Sequence, residues 1–241
     1  HFAIIEQYVK TLAALGQGSV TTLVSEIPWS GQRCFQNKEA PSNLFEYSMV
    51  SVQRNWDGSD TYDYRILDRY IQLCFQNGVD KRINVFGLLN NWVSADDGFV
   101  NFTETPEAIR IRYRTPDGSF KYMKKGSDIE NYIKSLYSHF QEKGWLDKVR
   151  IVADEPGDPE KLAKSIRMIR HLCPNFKYKA AVNSKSLFDQ FANDIDDFCI
   201  ILTGLTVSAE VWKQIFQEDK RHCFTCYVCC TPEHPNTFLS S

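Results

Sequence analysis

Lys148-Val149-Arg150-Ile151-Val152-Ala153-Asp154-Glu155-Pro156 runs an apolar strand straight into two adjacent carboxylates, and a proline then ends it. Side by side, two like charges repel, so the pair is a poor store of stability. It suits proton transfer on a substrate held at a strand end. The competing reading is a helix-entry turn, with Asp154 or Glu155 supporting the N-terminus of the following helix.

The segments on either side decide the fold. Ser127-Asp128 opens a helix that runs to about Lys143 and stops at Gly144. Asp158–Leu172 reads as the next helix, with Pro159 in its first turn and Pro174 just past its end. Further on come a strand over Tyr178–Val182, a short helix over Ser184–Phe191 and a strand over Phe198–Leu202. A helix over Ser208–Gln217, capped by Ser208, then leads to a last strand over His222–Cys229.

The pattern is the same on the N-terminal side. Phe2, Ile5, Val9 and Leu12 have helical spacing, and Gly16 is a plausible C-cap. Val20–Ile27 is a strand closed by Pro28 and Trp29. Residues 30–62 read as irregular, with a turn at Trp56-Asp57-Gly58. Tyr64–Gln76 is a helix and Ile83–Leu89 a strand, and a hairpin-containing insertion follows at about 93–125. Its turn is Pro116-Asp117-Gly118.

Strands alternating with helices imply a parallel sheet, either doubly wound or closed into a barrel. No glycine-rich phosphate loop follows any strand, which weakens the nucleotide-binding alternative. Polar or aromatic residues follow nearly every strand, and a barrel builds its site from that rim. The expected fold is α/β, a (β/α)8 barrel of the TIM type with about six of its eight strands in residues 1–241. A strand before His1 and another after Ser241 would complete the count. On that count Ile151–Ala153 belongs to the fourth strand and His222–Cys229 to the seventh.

Composition narrows the partners. The 241 residues carry a net charge of −2, with 43% apolar and 24% charged residues. Nothing in that balance suggests nucleic acid or an anionic membrane. The apolar runs are too short to span a bilayer. His1 is followed at once by a helix, with no initiator Met and no signal peptide, so the chain reads as a piece of something longer.

The eight cysteines are not needed as staples in a domain of this size. Cys223, Cys226, Cys229 and Cys230 have metal-like spacing, but on one strand they divide between two faces. They are expected to be buried free thiols. The five histidines are dispersed, so no metal and no cofactor is expected.

Several blocks carry a resemblance. Ser138-His139-Phe140-Gln141-Glu142-Lys143-Gly144-Trp145-Leu146-Asp147, followed by Val152-Ala153-Asp154-Glu155-Pro156, resembles the catalytic domain of glycoside hydrolase family 123. Three other segments fit: Gly16 through Trp29, then Tyr62 to Tyr70, and Tyr227 to Thr237. The resemblance covers nearly the whole chain. It implies a TIM-like barrel, usually flanked by β-sandwich domains. The implied activity is that of an exo-acting, retaining β-N-acetylgalactosaminidase using substrate assistance. It also implies a glycan with a terminal N-acetylhexosamine as partner, and a secreted, periplasmic or cell-surface location.

On that resemblance Glu155 is the general acid and base, and Asp154 accepts a hydrogen bond from the acetamido N–H. A neighbouring carboxylate in a closed pocket favours a Glu155 pKa raised toward neutrality. Tyr227 is a candidate donor to the acetamido oxygen, or a packed core tyrosine. Trp29 and Trp92 are candidates to stack on the sugar, or to pack the rim. Asn183 is a candidate hydroxyl ligand, or a helix N-cap. Trp145 and Trp212 read as structural. Two alternatives stay open: a two-carboxylate retaining glycosidase pairing Glu155 with Glu233, and a non-catalytic carbohydrate-binding barrel.

Overall fold

The computed structural model describes residues 1–26, 48–89, 109–154, 158–182, 184–202, 205 and 208–227. Helix α1 (Phe2–Ala14) leads into β1 (Ser19–Leu23). The hairpin of β2 (Ser51–Arg54) and β3 (Asp60–Asp63) precedes α2 (Arg65–Gln76) and β4 (Arg82–Leu89). A second hairpin, β5 (Arg112–Arg114) and β6 (Phe120–Tyr122), precedes α3 (Gly126–Glu142) and β7 (Val149–Ala153). The chain continues through α4 (Pro159–Leu172), β8 (Lys177–Val182), α5 (Lys185–Phe191), β9 (Asp197–Ile201), α6 (Ala209–Glu218) and β10 (Cys223–Tyr227).

Six of the strands form one parallel sheet in the order β1-β4-β7-β8-β9-β10. Its two faces differ sharply. Val20, Ile83, Val85, Val149, Ile151, Tyr178, Ala180, Phe198 and Ile200 are buried beneath the helices. The helices return matching stripes: Leu67, Ile71 and Cys74 on α2, and Ile129, Ile133, Leu136 and Phe140 on α3. These spacings follow the 3.6-residue period, which is why the segments fold as helices against a sheet. The opposite face carries Arg82, Asn84, Arg150, Lys179 and Asp197, which are register partners or alternate neighbours along the strands.

The sheet curls toward this polar face. Asp197 on β9 accepts from Arg150 Nε on β7 at 2.9 Å and from Arg82 Nε on β4 at 3.2 Å. On a flat sheet β4 and β9 would stand about 14 Å apart, three strand spacings. The contact therefore requires the strands to wrap around a concave interior. The result is a half-barrel, consistent with an incomplete (β/α)8 barrel of the TIM type.

The other four strands form a second sheet, β3-β2-β5-β6. Residues 30–62, read above as irregular, thus contribute two strands. Each has only four residues, and Val52 is the one buried aliphatic side chain of β2, so no apolar run signals them. The turn at Trp56–Gly58 is present, with Gly58 at φ +83°. This small sheet joins the half-barrel just past β1. Glu26 N–H donates to the Arg110 carbonyl at 2.9 Å, and Met49 N–H to the Leu23 carbonyl at 2.8 Å. Tyr132 of α3 packs edge-on against Tyr62 and donates its hydroxyl to the Val24 carbonyl.

The structure corrects two details. Cys223 and Cys226 are exposed, not buried, while Cys229 and Cys230 lie outside the described residues. Among the described residues β10 pairs with β9 alone; Cys223, Thr225 and Cys226 are exposed, while Phe224, packed against Phe188, Phe198 and Phe216, and Tyr227 are half-buried. Ser208 precedes α6 but makes no side-chain cap hydrogen bond. Trp145, before β7, and Trp212, on α6, are both buried in packing roles. Among the described residues no helix is long and apolar enough to cross a membrane.

Candidate active site

Asp154 sits one residue past β7 and is half-buried. Strand alternation runs Arg150, Val152, Asp154, which assigns Asp154 to the concave face. The same alternation carries Cys199 to Ile201 on β9 and Thr225 to Tyr227 on β10, its register partner. Asp154 and Tyr227 therefore lie at C-terminal strand ends and share the concave face, three strands apart. Neither residue is without a partner in the fold.

The rest of the expected site lies outside the described residues: Glu155, Trp29, Trp92, Asn183 and the alternative nucleophile Glu233. The helix-entry reading of the acidic pair meets a competitor. Asp158 is the residue that caps α4, accepting from Lys161 N–H at 3.0 Å. That leaves the capping role filled without Asp154.

Sequence reasoning missed a second carboxylate at the same end of the sheet. Glu26 follows β1 by three residues and is only 1% exposed. Its Oε2 accepts from the Tyr122 hydroxyl at 2.5 Å, and its Oε1 lies 3.0 Å from Arg112 Nε. Arg110 brings a terminal nitrogen within 3.9 Å, and its guanidinium lies 4.7 Å above the Tyr122 ring. A buried carboxylate survives without water only when cations and donors replace it. Burial, and then the hydrogen bond to Glu26, push the Tyr122 pKa up, so the phenol remains a donor. The cluster fastens β5 and β6 to the rim. β4 separates β1 from β7, so Glu26 lies about 10 Å from the β7 end along the rim, two strand spacings.

A cavity of 540 Å³ opens beside Glu26. Ser51 and Gln53 of β2, Thr61 and Asp63 of β3, Arg112 and Arg114 of β5, and Phe120 of β6 line it. Among the described residues no three His, Cys, Asp or Glu side chains gather as a metal site.

A half-barrel of alternating strands and helices, with carboxylates at the C-terminal strand ends, places the domain in the (β/α) class, whose active sites lie at that end of the sheet. The family model "Glycoside hydrolase 123, catalytic domain" matches residues 1–241. This chain belongs to that family of glycoside hydrolase catalytic domains. Among solved structures, it resembles a family 123 glycoside hydrolase from Clostridium perfringens, studied for its hydrolysis of glycolipid glycans. The two share 20% sequence identity at a TM-score of 0.67, over 98% of this chain and 39% of the other. The chain thus spans about two-fifths of the length of that enzyme. No curated protein matches it.

Proposed function

We propose that this domain removes a terminal β-linked N-acetylgalactosamine from a glycan, with retention of configuration and with the substrate's own acetamide as nucleophile. The observation that carries the reading is Asp154, next to Glu155 in sequence, at the mouth of the concave face in a chain of family 123. Fold alone would not assign the chemistry, so the reading rests on these two side chains.

In the first step the acetamido oxygen attacks the anomeric carbon. The glycosidic C–O bond breaks, and Glu155 gives its proton to the leaving oxygen. Asp154 accepts from the acetamido N–H and steadies the positive charge that spreads over the oxazolinium ring. In the second step Glu155 takes a proton from water, which opens the ring and restores the starting configuration. Tyr227, on the same face as Asp154, orients the acetamido oxygen. Trp29 and Trp92 enclose the sugar, and Asn183 binds a hydroxyl. Such a substrate places the protein at the cell surface, in the periplasm or outside the cell, and β-sandwich domains beside the barrel complete the proposal.

Hydrolysis of an aryl β-N-acetylgalactosaminide, followed by proton NMR, tests this directly. The reading expects the β-anomer as first product and inhibition by the matching thiazoline. An α-anomer as first product, or no effect of the thiazoline, overturns it.

A further inference from the structure

The chain as a whole is slightly acidic, yet residues 110–125 hold Arg110, Arg112, Arg114, Lys121, Lys124 and Lys125 against one acid, Asp117. The three arginines alternate, so the period of a strand puts them on one face. Register agrees: Gln53 pairs with Arg114, and Thr61 pairs with Gln53. That face does not meet α3. The other face does, through Arg54 to Asp128 and Tyr62 to Tyr132.

Charge in the 540 Å³ cavity does not balance. Three arginines, Arg65, Arg112 and Arg114, face two carboxylates, Glu26 and Asp63. Asp63 is taken by Arg65 at 2.6 Å, and Glu26 by Arg112 at 3.0 Å with Arg110 behind it. Among the described residues no carboxylate comes within ion-pair distance of Arg114. The same cavity wall holds neutral hydrogen-bonding groups, Gln53, Ser51 and Thr61, and the exposed Phe120 ring, which has the Arg112 guanidinium over it at 5.0 Å. A flat apolar ring beside polar amides and hydroxyls is how proteins hold sugar rings. A spare guanidinium adds a preference for a carboxylate or a sulfate.

The position of the cavity ties it to the reaction. Its strands belong to the segments that follow β1 and β4, and in this fold those segments build the active-site end. Glu26 lies both at the rim and in the cavity wall.

We infer that this cavity is a subsite for an acidic sugar in the part of the glycan that leaves, one to a few residues from the bond that is cut. The inference rests on the glycosidase reading for its substrate and on the arginine face for its charge. The carboxylate or sulfate sits on Arg114, with its ring against Phe120 and its hydroxyls on Gln53 and Thr61.

Equilibrium binding by titration calorimetry on the full chain tests it without requiring turnover. Three probes separate the sources of charge. The first is a tetrasaccharide of alternating glucuronic acid and N-acetylgalactosamine. The second is its carboxyl-reduced, neutral form, and the third is that neutral form carrying sulfate. The neutral form is expected to bind on the order of tenfold more weakly than at least one charged form, as loss of one charge-assisted contact implies. The better charged form names the group. Arg114→Gln should remove that advantage and Arg114→Lys should keep part of it. Arg114 is exposed, so both variants fold. Equal affinity for all three probes, or an unchanged charge preference in Arg114→Gln, overturns the subsite. Acid-selective binding without hydrolysis of any substrate would keep the subsite and defeat the glycosidase reading. Hydrolysis of the aryl sugar without charge preference would do the reverse.

Discussion

Arg150 reaches across the inside of the curled sheet to Asp197, two strands away, and binds its carboxylate at 2.9 Å while Arg82 holds the other oxygen. Arg150 also donates to the carbonyls of Asp147 and Val149, so its guanidinium is fixed on both sides. The curvature of the half-barrel and this ion cluster depend on each other. Asp197→Ala leaves a buried guanidinium with no counter-charge, and breaking a buried pair this way costs about 3–5 kcal/mol. Urea unfolding should show that loss. A cost below about 1 kcal/mol would mean the cluster is ornamental.

Gly87 makes a second point of strain-free closure. It adopts φ +115°, and Ser25 donates its hydroxyl to the Gly87 carbonyl at 2.7 Å. A Cβ added there would lie 2.4 Å from Ser25 Oγ and 2.8 Å from Ser25 N. Gly87→Ala should therefore cost several kcal/mol, combining a backbone penalty of about 1–3 kcal/mol with overpacking of similar size. Trimming Ser25 to Ala should recover little, because the Ser25 backbone nitrogen also blocks the site. A Gly87→Ala protein as stable as the parent would contradict this geometry.

For the acidic pair, Glu155→Gln should slow hydrolysis of substrates with poor leaving groups by about 10²–10⁴-fold, the usual contribution of a general acid. Aryl substrates with good leaving groups should lose less in the first step. Asp154→Asn should lower kcat and weaken the thiazoline together, because it acts on the charged intermediate. Steady-state kinetics across a leaving-group series separates the two. A flat leaving-group dependence in Glu155→Gln removes Glu155 as the acid.

Acid should loosen the C-terminal end. Burial alone would raise the Asp219 pKa. The N–H of His222, the His222 ring and the N–H of Arg221 outweigh it and leave the carboxyl below its ordinary value. The unfolded chain thus takes up this proton first as pH falls. The stability Asp219 supplies is complete above the unfolded value, about 3.9, and is lost as pH drops through the lower folded value. His222 joins Asp219 to the Ala192 carbonyl, so the effect reaches the turn after α5. Urea midpoints at pH 5 and pH 3 for the parent and Asp219→Asn check it. The gap between the two proteins should shrink at pH 3, and a constant gap would refute the assignment.

The long periodic elements were legible because their periods are strong. Val149–Ala153 and the stripe Ile129, Ile133, Leu136 and Phe140 could be read directly, and so could the N-terminal proline of α4. The small sheet was half hidden. β2 and β3 together carry one aliphatic residue, Val52, among mostly polar ones, and a strand of four residues offers too few alternations to recognise. Glu26 was not legible as anything but a polar strand end. Its partner Tyr122 is 96 residues away, and only folding brings them together. Arg110, Arg112 and Arg114 did leave a signal, a period-two run of one charge in an otherwise balanced chain. The exposed thiols of β10 were misread because a cysteine on a strand suggests burial until the strand's neighbours are known.

The ladder between β2 and β5, with Gln53 opposite Arg114, stitches together two excursions that leave the parallel sheet at different places in the chain. Both contribute to one cavity wall, so neither can be recut by itself. Exchanging a single hairpin should unzip that seam and misshape the wall, while the six-stranded sheet keeps its own pairing.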